Sequence, residues 1–329
     1  MSTLITWIIR SISFGTIIMY GAMGEILTQK SGNLNLGVPG IMYLGGFGGF
    51  ASAYYYEKSV ANPNEVVVIL LAVSVSILLS MLGGLIYSFL TITLRANQNV
   101  TGLALTTFGM GVANFFGVQI LNGETYTAAP FAYSVFSHKL PVLGKIGGIG
   151  KCLFSYGFMA YAAIIIAILL QRFLYNTKTG LNLRAVGENP ATADAAGISV
   201  TKYKYLATIV GTAISGLGGL YYVLDYNQGI WATTGQIEAL GWLAVALVIF
   251  ATWKPLMAIV GAYIFGTLYW LYQFLPDFLG IKVASYATDL IQMLPYVVTI
   301  IVLIVVSFRK KKENQPPQSL GLAYFREER

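Results

Sequence analysis

Nine apolar stretches constrain this chain more than any other feature: residues 4–27, 34–56, 66–94, 100–121, 153–174, 205–224, 237–253, 255–275 and 288–308. Most approach or exceed the roughly 20 residues that a helix needs to cross a hydrocarbon layer. A chain inside lipid must satisfy its own backbone hydrogen bonds, and a helix does so within one segment. Only 10% of the 329 residues are charged and the mean hydropathy is +0.69. A soluble domain carries about 25% charged residues. The expected fold is therefore an all-α integral membrane protein, a polytopic bundle of about nine transmembrane helices. The 36 glycines suit close contact between such helices. The stretch at 34–56 holds Pro39 and six glycines, and predicts a broken or re-entrant span.

Loop charges set the orientation. Placing the tail after Phe308 in the cytoplasm puts 14 of the 20 basic residues on that side, among them Lys30, Arg95, Arg184, Lys204, Lys254 and the run Arg309 to Lys312. Arg10, Lys58, Lys139, Lys145, Lys151 and Lys282 fall on the other. The positive-inside rule then gives a multi-pass protein with a cytoplasmic C-terminus and an external N-terminus. Residues 1–14 lack a basic start and a small-residue cleavage site, and read as the lead into the first span. The formal charge of +7 is dispersed over loops, which does not point to nucleic acid. Residues 122–151 are too polar to span and predict an external loop. The tail at 309–329, with Pro316-Pro317, predicts an extended, partly disordered segment.

Several features recruit no chemistry. Cys152 is the single cysteine and His138 the single histidine, so no disulfide, metal centre or Cys–His pair is expected, and no catalytic residue is assigned. In the stretch from Gly144 to Cys152 the glycine spacing is one residue too long for a phosphate-binding loop, and Cys152 stands where Ser or Thr is needed. The chain is expected to hold no cofactor. The tyrosines near span ends, such as Tyr54-Tyr55-Tyr56 and Tyr221-Tyr222, fit an aromatic interface belt.

A polar, alanine-rich segment from Arg184 to Gly197 interrupts this pattern. Asn189 predicts an N-cap, Pro190 the first helical position, and Gly197 the left-handed residue past the helix end. The result is a two-turn helix with a small-residue surface, suited to docking into a groove of another protein.

Glu25, Asp225, Glu238 and Asp289 read as solvated or capping carboxylates at span ends, with none at mid-membrane. That weighs against an ion-coupled carrier, which needs a buried acidic or unwound site. A membrane enzyme would need a catalytic constellation that the sequence lacks. A pathway for a neutral solute would use uncharged polar and aromatic groups: Asn33, Asn35, Gln98, Asn99, Thr106, Thr107 and Asn114, with Phe108 or Trp242 stacking on a ring. Interhelical hydrogen bonding is the equal alternative for the polar ones.

Four stretches carry a family resemblance: Ser31-Gly32-Asn33-Leu34-Asn35-Leu36-Gly37 with Gly40-Ile41-Met42, the block from Arg95 to Leu103, the block from Gly180 to Gly197, and the tail from Leu320 to Arg329. Together they resemble the permease subunits of bacterial ABC importers for branched-chain amino acids, ribose and nucleosides. The chain looks most like the shorter permease of the nucleoside (simple sugar) importers. The family commonly has an acidic residue before Gly-Ile-Met, where this chain has Pro39. The resemblance implies a transmembrane part at 1–308, with a cytoplasmic coupling loop at 175–204, and a cytoplasmic tail at 309–329. It implies that Arg184, Gly187, Glu188, Asn189, Pro190, Asp194, Ala195, Ala196 and Gly197 couple the chain to an ATPase. It further implies a second, paralogous permease and an ATP-binding subunit, often with two fused nucleotide-binding domains that hold ATP and Mg. An external substrate-binding lipoprotein would deliver the solute. The setting would be the bacterial cytoplasmic membrane, with membrane lipid around the spans. Nucleosides are the expected solute, with ribose-like sugars and branched-chain amino acids as alternatives.

Overall fold

The computed structural model describes residues 3–122, 124, 126–139, 147–232, 235–280, 290–291, 293–309 and 315–325. Among them thirteen α-helices follow one another: α1 Thr3–Lys30, α2 Val38–Ser59, α3 Glu65–Ser88, α4 Gln98–Leu121, α5 Pro130–Phe136, α6 Gly147–Phe154, α7 Phe158–Asn176, α8 Lys178–Glu188, α9 Pro190–Ala195, α10 Val200–Tyr221, α11 Gln236–Phe250, α12 Pro255–Leu279 and α13 Leu294–Arg309. The described residues of the nine apolar stretches lie mostly on helices, with the stretch at 153–174 divided between α6 and α7. Among the described residues six helices are long and apolar enough to cross a membrane. α11, with 15 residues, and α13, with 16, are shorter. Asp289, Lys282, Lys310 to Lys312, Gly144 to Ile146 and Arg326 to Arg329 lie outside the described residues.

α3 turns a mostly small and polar face inward and an apolar face outward. On α3 the buried face is Ala72, Ser76, Ser80, Gly83, Gly84 and Tyr87, whereas Leu70, Leu78, Leu82 and Leu85 point outward. Lipid is as apolar as leucine, so burying leucine between helices gains little, and close packing of small residues holds the helices together. Local signals set the ends. Asn64 caps α3 by accepting from the Val66 N–H at 2.9 Å, and Asn97 caps α4 by accepting from the Val100 N–H at 3.1 Å. Both α3 and α10 run on into one π-helical turn, at Phe89–Thr93 and Tyr222–Tyr226.

α2 is the centre of the bundle. Its residues from Val38 to Phe50 are all buried, and it packs on α3, α4, α10 and α11. It is one continuous helix and not the broken span that Pro39 suggested. Pro39 sits in the first turn, where its missing N–H has no partner to lose. The glycines serve close approach instead of a break. A methyl group on Gly45 would lie 2.5 Å from the Gly216 carbonyl oxygen of α10. One on Gly219 of α10 would overlap the Met42 carbonyl oxygen.

The segment after α4 holds a strand as well as helices. Tyr126–Ala128 (β1) pairs antiparallel with Ile230–Ala232 (β2), which follows α10, and Thr127 faces Trp231. This two-stranded ribbon is the departure from an all-α chain among the described residues. The tail also differs from expectation. Residues 315–325 are packed against the bundle, because backbone carbonyls of α8 and of the α1–α2 turn accept hydrogen bonds from them.

Candidate functional site

The corner between α8 and α9 has the local structure that its residue types dictate. Thr177 caps α8 by accepting from the Gly180 N–H at 3.0 Å. Asn189 ends α8 and caps α9, its Oδ1 accepting from the Thr192 N–H at 3.0 Å. Pro190 follows it, and Gly197 closes the corner with a φ of +80°. Ala193 points inward and packs with Val186, Val200, Ile198, Tyr203 and Tyr324. Glu188, Asn189, Thr192, Ala195, Ala196 and Gly197 face outward. Arg184 is turned away from that face, its guanidinium 4.7 Å from the Tyr175 ring of α7.

The C-terminal tail clamps the inner side of this corner. The backbone N–H and the hydroxyl of Ser319 both donate to the Gly187 carbonyl, at 3.1 and 2.6 Å. The Tyr324 hydroxyl donates to Asp194 Oδ2 at 2.8 Å, and the Arg95 guanidinium lies 4.6 Å from the Phe325 ring. Gly321 N–H donates to the Gly32 carbonyl at 3.2 Å, which ties the tail to the α1–α2 turn. Tyr324→Phe removes one hydrogen bond to a charged group, worth about 2 kcal/mol or less. A lower thermal midpoint and faster proteolysis after Leu320 are the expected readouts; an unchanged proteolytic pattern would show that the tail is held by its backbone alone.

The α1–α2 turn, residues 31–37, is itself buried, so each of its backbone groups needs a partner inside the protein. Side chains supply them. Glu25 is 1% exposed, and its Oε1 accepts from the Asn35 N–H at 3.0 Å and from Gln29 Nε2 at 2.8 Å. It is therefore not the solvated interface carboxylate that its sequence position suggested. Gln98 Oε1 accepts from the Leu34 N–H at 2.7 Å, and the Tyr87 hydroxyl donates to the Leu34 carbonyl at 2.6 Å. Thr106 donates to the Leu36 carbonyl at 3.0 Å, Asn35 Oδ1 accepts from the Gly37 N–H at 2.8 Å, and Asn33 Nδ2 donates to the Thr208 hydroxyl at 3.0 Å. Four of the nine pathway candidates thus meet at one buried turn. The others are dispersed: Asn99 and Phe108, like Thr107, are exposed on α4, Asn114 lies half-buried farther along it, and Trp242 is half-buried on α11.

The opposite end of the bundle holds a cavity that the sequence reading missed. It measures about 280 Å³ and is lined by Phe14, Tyr222, Tyr226, Gln236, Tyr269, Trp270 and Tyr272, among others. Phe14 stacks on Tyr269 at 4.0 Å, and Tyr222 lies at 5.9 Å from Tyr226 in near-parallel planes. Tyr222 donates its hydroxyl to Gln236 Oε1. Tyr221 and Tyr222 are buried, so they do not belong to an interface belt. A neighbouring, more polar cavity shares Tyr226 and Trp270, and carries Arg10, Lys139 and Asp225. Asp225 Oδ2 is buried without a hydrogen-bond partner among the described residues, again not a solvated cap. Phe14 stands sixteen residues before Lys30 in α1, about 24 Å along a helix. The aromatic cavity and the α8–α9 corner therefore sit at opposite ends of the same helices.

The profile of the family described as "Branched-chain amino acid transport system / permease component" matches residues 7–304. TsgC13 of Haloferax volcanii, named as a candidate glucose ABC transporter permease, is 33% identical over 78% of this chain and 74% of its own. The guanosine ABC transporter permease NupQ of Bacillus subtilis is 31% identical over 74% of this chain and 75% of its own. The nucleoside ABC transporter permease NupC of Lactococcus lactis is 29% identical over 88% of each chain. No solved structure matches the chain.

Proposed function

The chain belongs to the branched-chain amino acid transport system permease family, and from that membership we propose that it forms half of the translocation pathway of an ATP-driven importer for nucleosides. It is a multi-pass membrane subunit, with its C-terminus and the α8–α9 corner in the cytoplasm. It carries no ATPase site of its own. Its partners are a second, paralogous permease, a cytoplasmic ATP-binding subunit with two fused nucleotide-binding domains, and an external substrate-binding lipoprotein. ATP and Mg belong to the ATP-binding subunit.

The aromatic cavity is the observation that carries the solute reading. Flat faces of Phe14, Tyr226, Tyr269 and Trp270 suit an uncharged ring, and the Gln236 amide can hydrogen-bond its edge. The relatives named for guanosine and nucleosides support the same class. A sugar reading has its own support in TsgC13, since a pyranose also stacks on aromatic rings.

The coupling mechanism follows from rigid connection. α9 is capped at Asn189, anchored by Ala193 and tied to the tail through Asp194. A short turn joins it to α10, which runs unbroken from Val200 through the π turn to Tyr226. That is about 39 Å of helix ending at the aromatic cavity. Closure of the ATPase would push α9, and α10 would carry the displacement to the far end as a rigid body.

The test is uptake by the assembled importer in liposomes, comparing labelled guanosine, other nucleosides and glucose. Nucleoside uptake that needs ATP supports the reading. Glucose uptake without nucleoside uptake moves it to sugars, and uptake by this chain alone under an ion gradient overturns it. Trp270→Ala should raise the KM for nucleosides about tenfold or more, the range for losing a base–aromatic stack. A KM unchanged by that substitution would remove the cavity from the pathway.

A further inference from the structure

The cytoplasmic end, as read above, contains a polar cavity that coupling does not use. It encloses about 240 Å³ between the Arg95 turn, the start of α10, the Asp194 end of α9 and the docked tail. Asn33, Thr91, Arg95, Gln98, Thr201 and Lys204 line it. Two features are left incomplete. Lys204 is 3% exposed, and no carboxylate among the described residues lies close enough to neutralise it. A buried cation without a counter-charge is strongly unfavourable and calls for an anion. Asn33 is fully buried, and its Oδ1 has no hydrogen-bond donor among the described residues. Among the described residues, what is missing is a partner that brings negative charge and also donates a hydrogen bond.

We propose that this cavity binds a hydrogen phosphate ion, with Lys204 and Arg95 holding its oxygens and Asn33 Oδ1 accepting its P–OH proton. Thr201 supplies a further hydroxyl donor at the wall. Arg95 is exposed and positioned over Phe325, so the guanidinium reaches the cavity from the rim. Asp194 also lines the space, and its Oδ2 is occupied by the Tyr324 hydroxyl. A bound anion would join the α3–α4 connection to α10 and stiffen the corner that the tail clamps. The site would let cytoplasmic phosphate adjust coupling, whatever solute is imported.

The experiment uses the full chain extracted in detergent with the subunits that accompany it. Its thermal midpoint is followed while inorganic phosphate is titrated at constant ionic strength, with sulfate as the comparison. Phosphate should raise the midpoint saturably by several degrees. Sulfate has the same shape and charge but no proton to donate at neutral pH, and should bind at least tenfold more weakly. Lys204→Gln should abolish the response. Arg95→Gln, at an exposed position that does not endanger folding, should weaken it about tenfold or more. Equal responses to phosphate and sulfate, no response to either, or a response untouched by Arg95→Gln would each overturn the proposal. So would phosphatidylglycerol nanodiscs that give the same shift without phosphate and remove the response to it, since a phosphodiester headgroup has no P–OH.

Discussion

Ala195→Arg should abolish ATP-driven uptake while leaving the chain folded and inserted. Ala195 is on the outward face of α9, so a longer side chain displaces nothing within the protein. Against a groove shaped for a methyl group, it introduces a charge and four side-chain bonds that must be desolvated and ordered. A loss at the centre of such a contact costs about 2 kcal/mol or more, roughly a thirtyfold weakening. Uptake in liposomes and co-purification of the ATP-binding subunit measure it, and normal uptake by the variant would sink the docking assignment. Pro190→Gly is the matched control. It keeps the outward face and relaxes the first turn, at about 1 kcal/mol or less through backbone entropy. If that change instead prevented insertion, the segment would be a structural element and not a contact.

Gly219→Val should be the most destabilising single change in the bundle. The first carbon of any side chain there overlaps the Met42 carbonyl oxygen and stands 3.0 Å from the Gly46 nitrogen. Both are backbone atoms of the central helix, so nothing flexible can swing aside. α10 and α2 must separate, and α2 also packs on α3, α4 and α11. Overpacking a rigid contact costs about 1–3 kcal/mol, and a β-branched residue here belongs at the upper end. A thermal midpoint lowered by several degrees and a loss of monodisperse protein after extraction are expected. Gly111→Ala on α4, where a methyl group meets nothing within 4 Å, should leave both unchanged. Equal behaviour of the two variants would mean that glycine contact does not hold the bundle.

The parts legible in the sequence were those encoded locally. Apolar length located the helices, and Asn189-Pro190 with Gly197 marked α9 to within a residue, because capping depends on neighbours in the chain. The α1–α2 turn shows where this ends. Gln98 and Thr106 were visible as polar residues in oily surroundings, whereas Tyr87 was not singled out, and the partners of all three are backbone groups of residues 34 and 36. Only the fold brings them together. The same holds for Glu25, whose position near a span end hid its burial, and for the aromatic cavity, assembled from α1, α11, α12 and the π turn after α10. Polar and aromatic residue types announce that a partner is needed without saying which one. The docked tail left a signal in Leu320-Gly321-Leu322, an apolar island in a charged segment with a glycine at φ +80°.

The joint between Gly321 and Gly32 couples nearly the two ends of the chain. A ribosome delivers residue 321 only after every helix of the bundle has been made. Until then the buried turn at 31–37 lacks one of its hydrogen bonds, and the Gly187 carbonyl lacks both donors from Ser319. A chain cut before Ser319 would leave the Gly187 carbonyl at the corner between α8 and α9 without these two donors.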